Sequence, residues 1–138
     1  MQHLERIFSS SPNRIARDSQ VIEACIEACA ECERACAACA DACLGAPDPS
    51  QLRKCIRLNL DCADICDTTA RILTRQFHAN LKFIRAQIEA CALVAAACGA
   101  ECLAHAGMHR HCGFCAEACK RCEDACRKAL RTLPSANA

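Results

Sequence analysis

The sequence predicts an all-α protein, an antiparallel four-helix bundle with a short extra N-terminal helix, and cysteine carries most of that prediction. Cys25, Cys29, Cys32, Cys36, Cys39 and Cys43 are spaced 4, 3, 4, 3 and 4, and Cys112, Cys115, Cys119, Cys122 and Cys126 repeat the alternation near the C-terminus. Between them, Cys55, Cys62 and Cys66 keep steps of 7 and 4, as do Cys91, Cys98 and Cys102. Alternating steps of three and four trace a single stripe along an α-helix. The second observation is that short turns divide the chain into four long segments, each with its own stripe. Short connections between long helices give antiparallel neighbours.

The elements follow in order. Residues 2–9 suit a short helix, ended by Ser10, Ser11 and Pro12. The first bundle helix is expected over residues 18–44, with Glu23, Glu27, Glu31, Arg34 and Asp41 largely opposite the cysteines at helix-supporting spacings. Gly45-Ala46-Pro47 breaks it, and Asp48-Pro49-Ser50-Gln51 reads as an N-cap, a proline at the first helical position and a glutamine at the third. The second helix should then continue to residue 75. A turn without Gly or Pro covers residues 76–80. The third helix is expected over 81–106 with Gly107 as its C-terminal cap, residues 108–111 bridge, and the fourth helix covers 112–133. The domain reading is an N-terminal segment at 1–17, a Cys-lined bundle at 18–133 and a disordered tail at 134–138.

Composition explains why such a core is unusual. Leu, Ile, Val and Phe total only 26 of 138 residues, whereas there are 17 Cys and 28 Ala. Few large apolar residues ordinarily signal disorder, but disorder also needs a high net charge, and this chain carries +1. Cysteine packs as a small hydrophobe, so a thin Ala/Cys core can form. The balanced charge offers no footprint for nucleic acid, and the absence of Trp and Tyr removes base-stacking platforms. No uninterrupted apolar run suggests a membrane span. Residues 1–18 show no signal-peptide core, so a cytoplasmic location is expected.

A reducing compartment opposes disulfides, the number of cysteines is odd, and neighbours on one helix do not readily reach disulfide geometry. The thiols therefore read as ligands. Soft sulfur selects Cu(I), zinc or iron–sulfur clusters. Zinc sites use closed sets of four ligands, usually from short pairs on turns, and iron–sulfur motifs use loop-borne clusters; neither explains a stripe of seventeen. Cu(I) is content with two or three thiolates, and Cys-x-x-x-Cys pairs one turn apart can clasp it. Stacked bis-thiolate units would bury much negative charge. Sharing thiolates between ions moves the ratio toward about one copper per cysteine. A zinc or general thiol buffer of metallothionein type, and a redox metal-cluster protein, stay open as alternatives.

Extending the stripes adds Asn59 to the second helix and His105 to the third. His105, Met108, His109 and His111 stand at the end where the thiols are expected to open toward the loops, and His105, continuing the stripe, is the favoured metal contact of the group. The other end collects Ile15, Ile22, Leu73, Leu81, Ile84, Ile88, Leu130 and Leu133 as an apolar plug. His3 and His78 read as surface residues. No catalytic triad or phosphate-binding loop is visible, so no enzyme activity is expected.

The repeated Cys-x-x-x-Cys stripe on all four helices, over about residues 18–133, resembles that of the bacterial copper storage proteins, Cys-lined four-helix bundles that hold many Cu(I) ions. Without a twin-arginine signal the chain is similar to the cytosolic subgroup. The resemblance implies that the stripe cysteines are Cu(I) ligands, that the histidines match entry sites, and that the protein is a homotetramer.

Overall fold

The computed structural model describes residues 2–13 and 19–135. In chain order the elements are α1 (Gln2–Ser10), α2 (Ser19–Leu44), a 3₁₀ turn (Pro49–Leu52), α3 (Arg53–Thr74), α4 (Leu81–His105) and α5 (Arg110–Thr132). Each of α2 to α5 packs against two neighbours in the cyclic order α2, α3, α4, α5. The sulfur contacts give the register. Cys25 meets Cys126 and Cys43 meets Cys112, so α2 and α5 run antiparallel. Cys55 meets Cys102 and Cys66 meets Cys91, so α3 and α4 do too. Across the diagonal, Cys29–Cys91 and Cys36–Cys98 share one offset of 62, as parallel helices require. The architecture is the antiparallel bundle of four with an extra N-terminal helix.

Several boundaries differ from the sequence expectation, each for a local reason. Asp48 does cap, accepting from the Ser50 amide at 3.3 Å and from its hydroxyl. The turn it starts is 3₁₀, and the α-helix begins at Arg53. At the far end Arg75 is already extended. The connection that lacked a breaker uses His78 in the left-handed region, at φ 50°, and Asn80 as an N-cap whose side chain accepts from the Phe83 amide at 3.0 Å. Gly107 is not a left-handed cap, since no described glycine has positive φ. The chain instead tightens through His105, whose carbonyl accepts from the Met108 and His109 amides. The fourth helix begins at Arg110 rather than Cys112, which places His111 in its first turn. Ile15, Asp18 and residues 136–138 lie outside the described residues.

The plug end is closed by Ile22, Leu73, Ile84 and Ile88, with Leu133 beside them; Leu81 and Leu130 are half-buried there. Phe8 of α1 is buried and joins the same core cluster. Arg85 ties the end of α5 down, its Nη1 donating to the carbonyls of Leu130, Leu133 and Pro134 at 3.0 to 3.3 Å. Leu130 supplies one of the last-turn carbonyls that a helix C-terminus leaves unpartnered. At the opposite end Leu52 is fully buried and Ala46 packs against the core.

By length and composition α4 could cross a membrane, with a mean hydropathy of 1.4 over 18 residues. In the bundle α4 turns Cys91, Cys98 and Cys102 inward and leaves Phe83, Leu93 and Leu103 exposed.

Candidate metal centre

All seventeen cysteines are free thiols, and all are buried. A stripe at steps of three and four points every thiol at the axis, and four stripes in antiparallel register turn the axis into a column of sulfur. Near the plug, Cys25 and Cys126 face each other at 3.8 Å. The next level holds Cys29, Cys66, Cys91 and Cys122, with sulfur separations of 3.7 to 3.8 Å. Above it Cys32 touches Cys36, Cys62 and Cys119, each at 3.8 Å. Cys36 then reaches Cys98, Cys115 and Cys119 at 3.7 to 3.9 Å. Cys39 and Cys43 both reach Cys112 at 3.9 Å, while Cys55 meets Cys102 at 3.7 Å.

These separations are too long for disulfides and short enough for one soft cation to touch several sulfurs. Groups whose ligand atoms all lie within 4.8 Å of one another include Cys29/Cys91/Cys122/Cys126, Cys32/Cys66/Cys122, Cys32/Cys36/Cys62/Cys119, Cys36/Cys98/Cys115/Cys119 and Cys39/Cys43/His111/Cys112. Cys122, Cys32, Cys36 and Cys119 each belong to two of them, so the first four join into a chain of shared ligands.

Asn59 occupies a thiol position on α3 and is fully buried. Its Oδ1 accepts from Cys98 and Cys115 at 3.2 Å and from Cys102 at 3.6 Å, while its Nδ2 donates to Cys55 at 3.4 Å. Both polar side-chain atoms of this buried amide thus have sulfur partners. Thr69 ends the α3 stripe with no sulfur partner. Its hydroxyl donates to the Ile65 carbonyl at 2.7 Å and accepts from Gln87 at 3.0 Å.

The histidines divide differently from the sequence ranking. His111 brings Nδ1 to 3.5 Å from Cys39 and 3.6 Å from Cys112. His105, on the extended α4 stripe, instead pairs through Nε2 with Glu101 at 3.2 Å, and Lys54 reaches the same carboxylate at 3.6 Å. His109 lies beside His111, ring centroids 5.6 Å apart. Met108 is almost fully exposed. Starting α5 two residues early rotates His111 toward the thiols, and sequence spacing alone could not reveal that.

The thiols do not titrate independently. Hydrogen bonds from Cys126 and then Cys29 hold Cys25 down at about 5. Cys112 is pushed up to about 11, first by burial and then by the charge of Cys43. Cys55 is raised for the same leading reason. Cys39 is raised by its hydrogen bonds with Cys102 and Cys115 and then by burial, and Cys36 by its bonds with Cys115 and Cys119. Ionising one thiol in this dry column recruits its neighbours as donors and so opposes their ionisation. Only cations placed between the sulfurs let many become thiolates together.

Comparison with known proteins agrees with this chemistry. A family model described as copper storage protein matches residues 18–131. The copper storage protein of Streptomyces lividans, loaded with 10 copper equivalents, superposes with a TM-score of 0.92 at 46% identity, covering 94% of this chain and 99% of its own. A cytosolic copper storage protein from the same organism with five coppers gives 0.82 at 51% identity, covering 83% and 96%. The Cu(I)-bound Bacillus subtilis protein gives 0.70 at 39% identity, covering 78% and 96%.

Proposed function

The chain belongs to the copper storage protein family, and from that premise we propose how its residues sequester Cu(I). Supporting it is one observation, that each of the seventeen buried thiols has another sulfur 3.7 to 4.0 Å away. Copper enters as cargo. Each Cu(I) replaces thiol protons, and thiolates shared between ions keep the column near neutral, which a low-dielectric interior demands. The seventeen cysteines of residues 18–133 are the ligands. His111 serves at the upper rim, and Asn59 is an acceptor that an ion could use in place of sulfur. His105, paired with Glu101, and His109 and Met108 act on ions still outside.

The protein stores rather than transforms its cargo: burial behind Leu52 and Ile88 keeps bound ions from exchanging substrate. It works in the cytoplasm, where free thiols persist. It assembles as a homo-oligomer, a tetramer as the resemblance implies, and the uncharged outer positions of α4, among them Leu93, Ala97, Ala100 and Leu103, are the surface suited to that contact.

The test is competition. Reduced protein is offered Zn(II) and Cu(I) together, anaerobically, against a strong Cu(I) chelator. Copper taken from the chelator with zinc left in solution supports storage. Retained zinc supports a general thiol buffer, and a visible-region, reducible chromophore supports a redox cluster.

A further inference from the structure

Gly99 stands well inside α4, where glycine is the least favourable residue after proline. It supplies no special backbone conformation, since its φ is not positive. What singles it out is the space beside its Cα. A methyl group there would lie 3.2 Å from the Cβ of Cys119 on α5, closer than side chains ordinarily approach, and 3.8 Å from the Ala116 carbonyl oxygen. The chain's other glycines face nothing comparable: the nearest neighbour is at 3.5 Å for Gly45 and 3.4 Å for Gly113, and Gly107 faces open space. The atom that Gly99 spares carries a joint of the sulfur array. The Sγ of Cys119 lies 3.8 Å from Cys32 and 3.7 Å from Cys36. It belongs both to Cys32/Cys36/Cys62/Cys119, drawn from α2, α3 and α5, and to Cys36/Cys98/Cys115/Cys119, drawn from α2, α4 and α5. In the second group α4 contributes Cys98, the residue next to Gly99.

We propose that Gly99 is a positioning residue for copper: by lacking a side chain it leaves Cys119 where one sulfur serves both groups. The proposal rests on the storage reading and deepens it. Any larger residue at 99 presses first on the Cβ that carries the ligand atom, and that neighbour must give by a few tenths of an ångström. Metal–ligand distances are held to within about 0.2 Å, so a displacement of this size reaches the bound ions although it is small for the fold. Selection for helix stability alone would favour alanine at this position, and the contact with a shared ligand explains why glycine stands there instead.

A double-mutant cycle decides it. The full chain, reduced, is saturated with Cu(I) anaerobically and then titrated with a competing Cu(I) chelator, as the unaltered protein, Gly99→Ala, Cys119→Ala and the double variant. Gly99→Ala should stay helical by circular dichroism and surrender part of its copper at about one tenth of the chelator concentration the unaltered protein needs, as is usual when a group that orients a ligand is altered. In the Cys119→Ala background the same change should lower copper retention no further, because the Cβ contact persists there but the sulfur it displaces is gone. Unchanged retention in Gly99→Ala overturns the proposal. So does an equal loss in both backgrounds, which would show that the methyl group acts through the packing of α4 on α5. A Gly99→Ala protein without helical structure overturns it as well, since glycine would then serve folding. Failure of the unaltered protein to take up copper would refute the storage reading itself.

Discussion

Along one axis the bundle changes from carbon to sulfur without changing its geometry. Below Cys25 the inward positions are Ile22, Leu73, Ile84 and Ile88; above it the same helical steps carry cysteine up to Cys43. Both regions are dry and both are packed across four helices. The apolar end holds branched side chains that bury large area and bind nothing. The sulfur region buries less area per residue but surrounds its axis with ligand atoms. Stability is therefore concentrated at one end and capacity at the other, so the two should be separable by mutation.

The sharpest break between them is chemical. Replacing all seventeen cysteines with alanine should abolish copper uptake while circular dichroism still reports a helical protein, since alanine has the highest helix propensity and the apolar end is untouched. A coil spectrum would mean that sulfur packing, not the plug, holds the bundle. Next in size, Ile88→Ala, at a fully buried plug position, should cost about 2–5 kcal/mol in denaturant unfolding and leave the copper number unchanged. If capacity falls with stability, the two regions are not separate.

The third difference is titration. Among the described residues the buried plug positions Ile22, Leu73, Ile84 and Ile88 carry no ionisable group, whereas the upper thiols are raised, Cys112 to about 11 and Cys39 also upward. Below those values the thiolate fraction grows with pH, so the initial loading rate should rise by up to about tenfold per unit across the neutral range. A rate flat with pH would show that deprotonation does not limit entry. The effect should vanish in no plug variant, Ile88→Ala included.

The sequence made the sulfur region unusually legible, because cysteine is rare enough that its spacing traces each helix face directly. Cys25 to Cys43 alone marks α2, and the four stripes predict the register that places Cys25 opposite Cys126. What stayed hidden depends on rotation by a residue or two and on the size of what lies between helices. Asn80 caps α4 in a connection with no breaker. The early start of α5 aims His111, not His105, at sulfur. Leu52, in the turn before α3, is fully buried at the loop end.

The central claim is that the whole column is one ligand array, and an anaerobic Cu(I) titration of the reduced protein against a competing chelator tests it most directly. The account predicts uptake close to one copper for each of the 17 cysteines, with thiolate-to-copper absorbance growing throughout and protons released as it grows. Saturation at one to four ions, with most thiols still free to react, would contradict it.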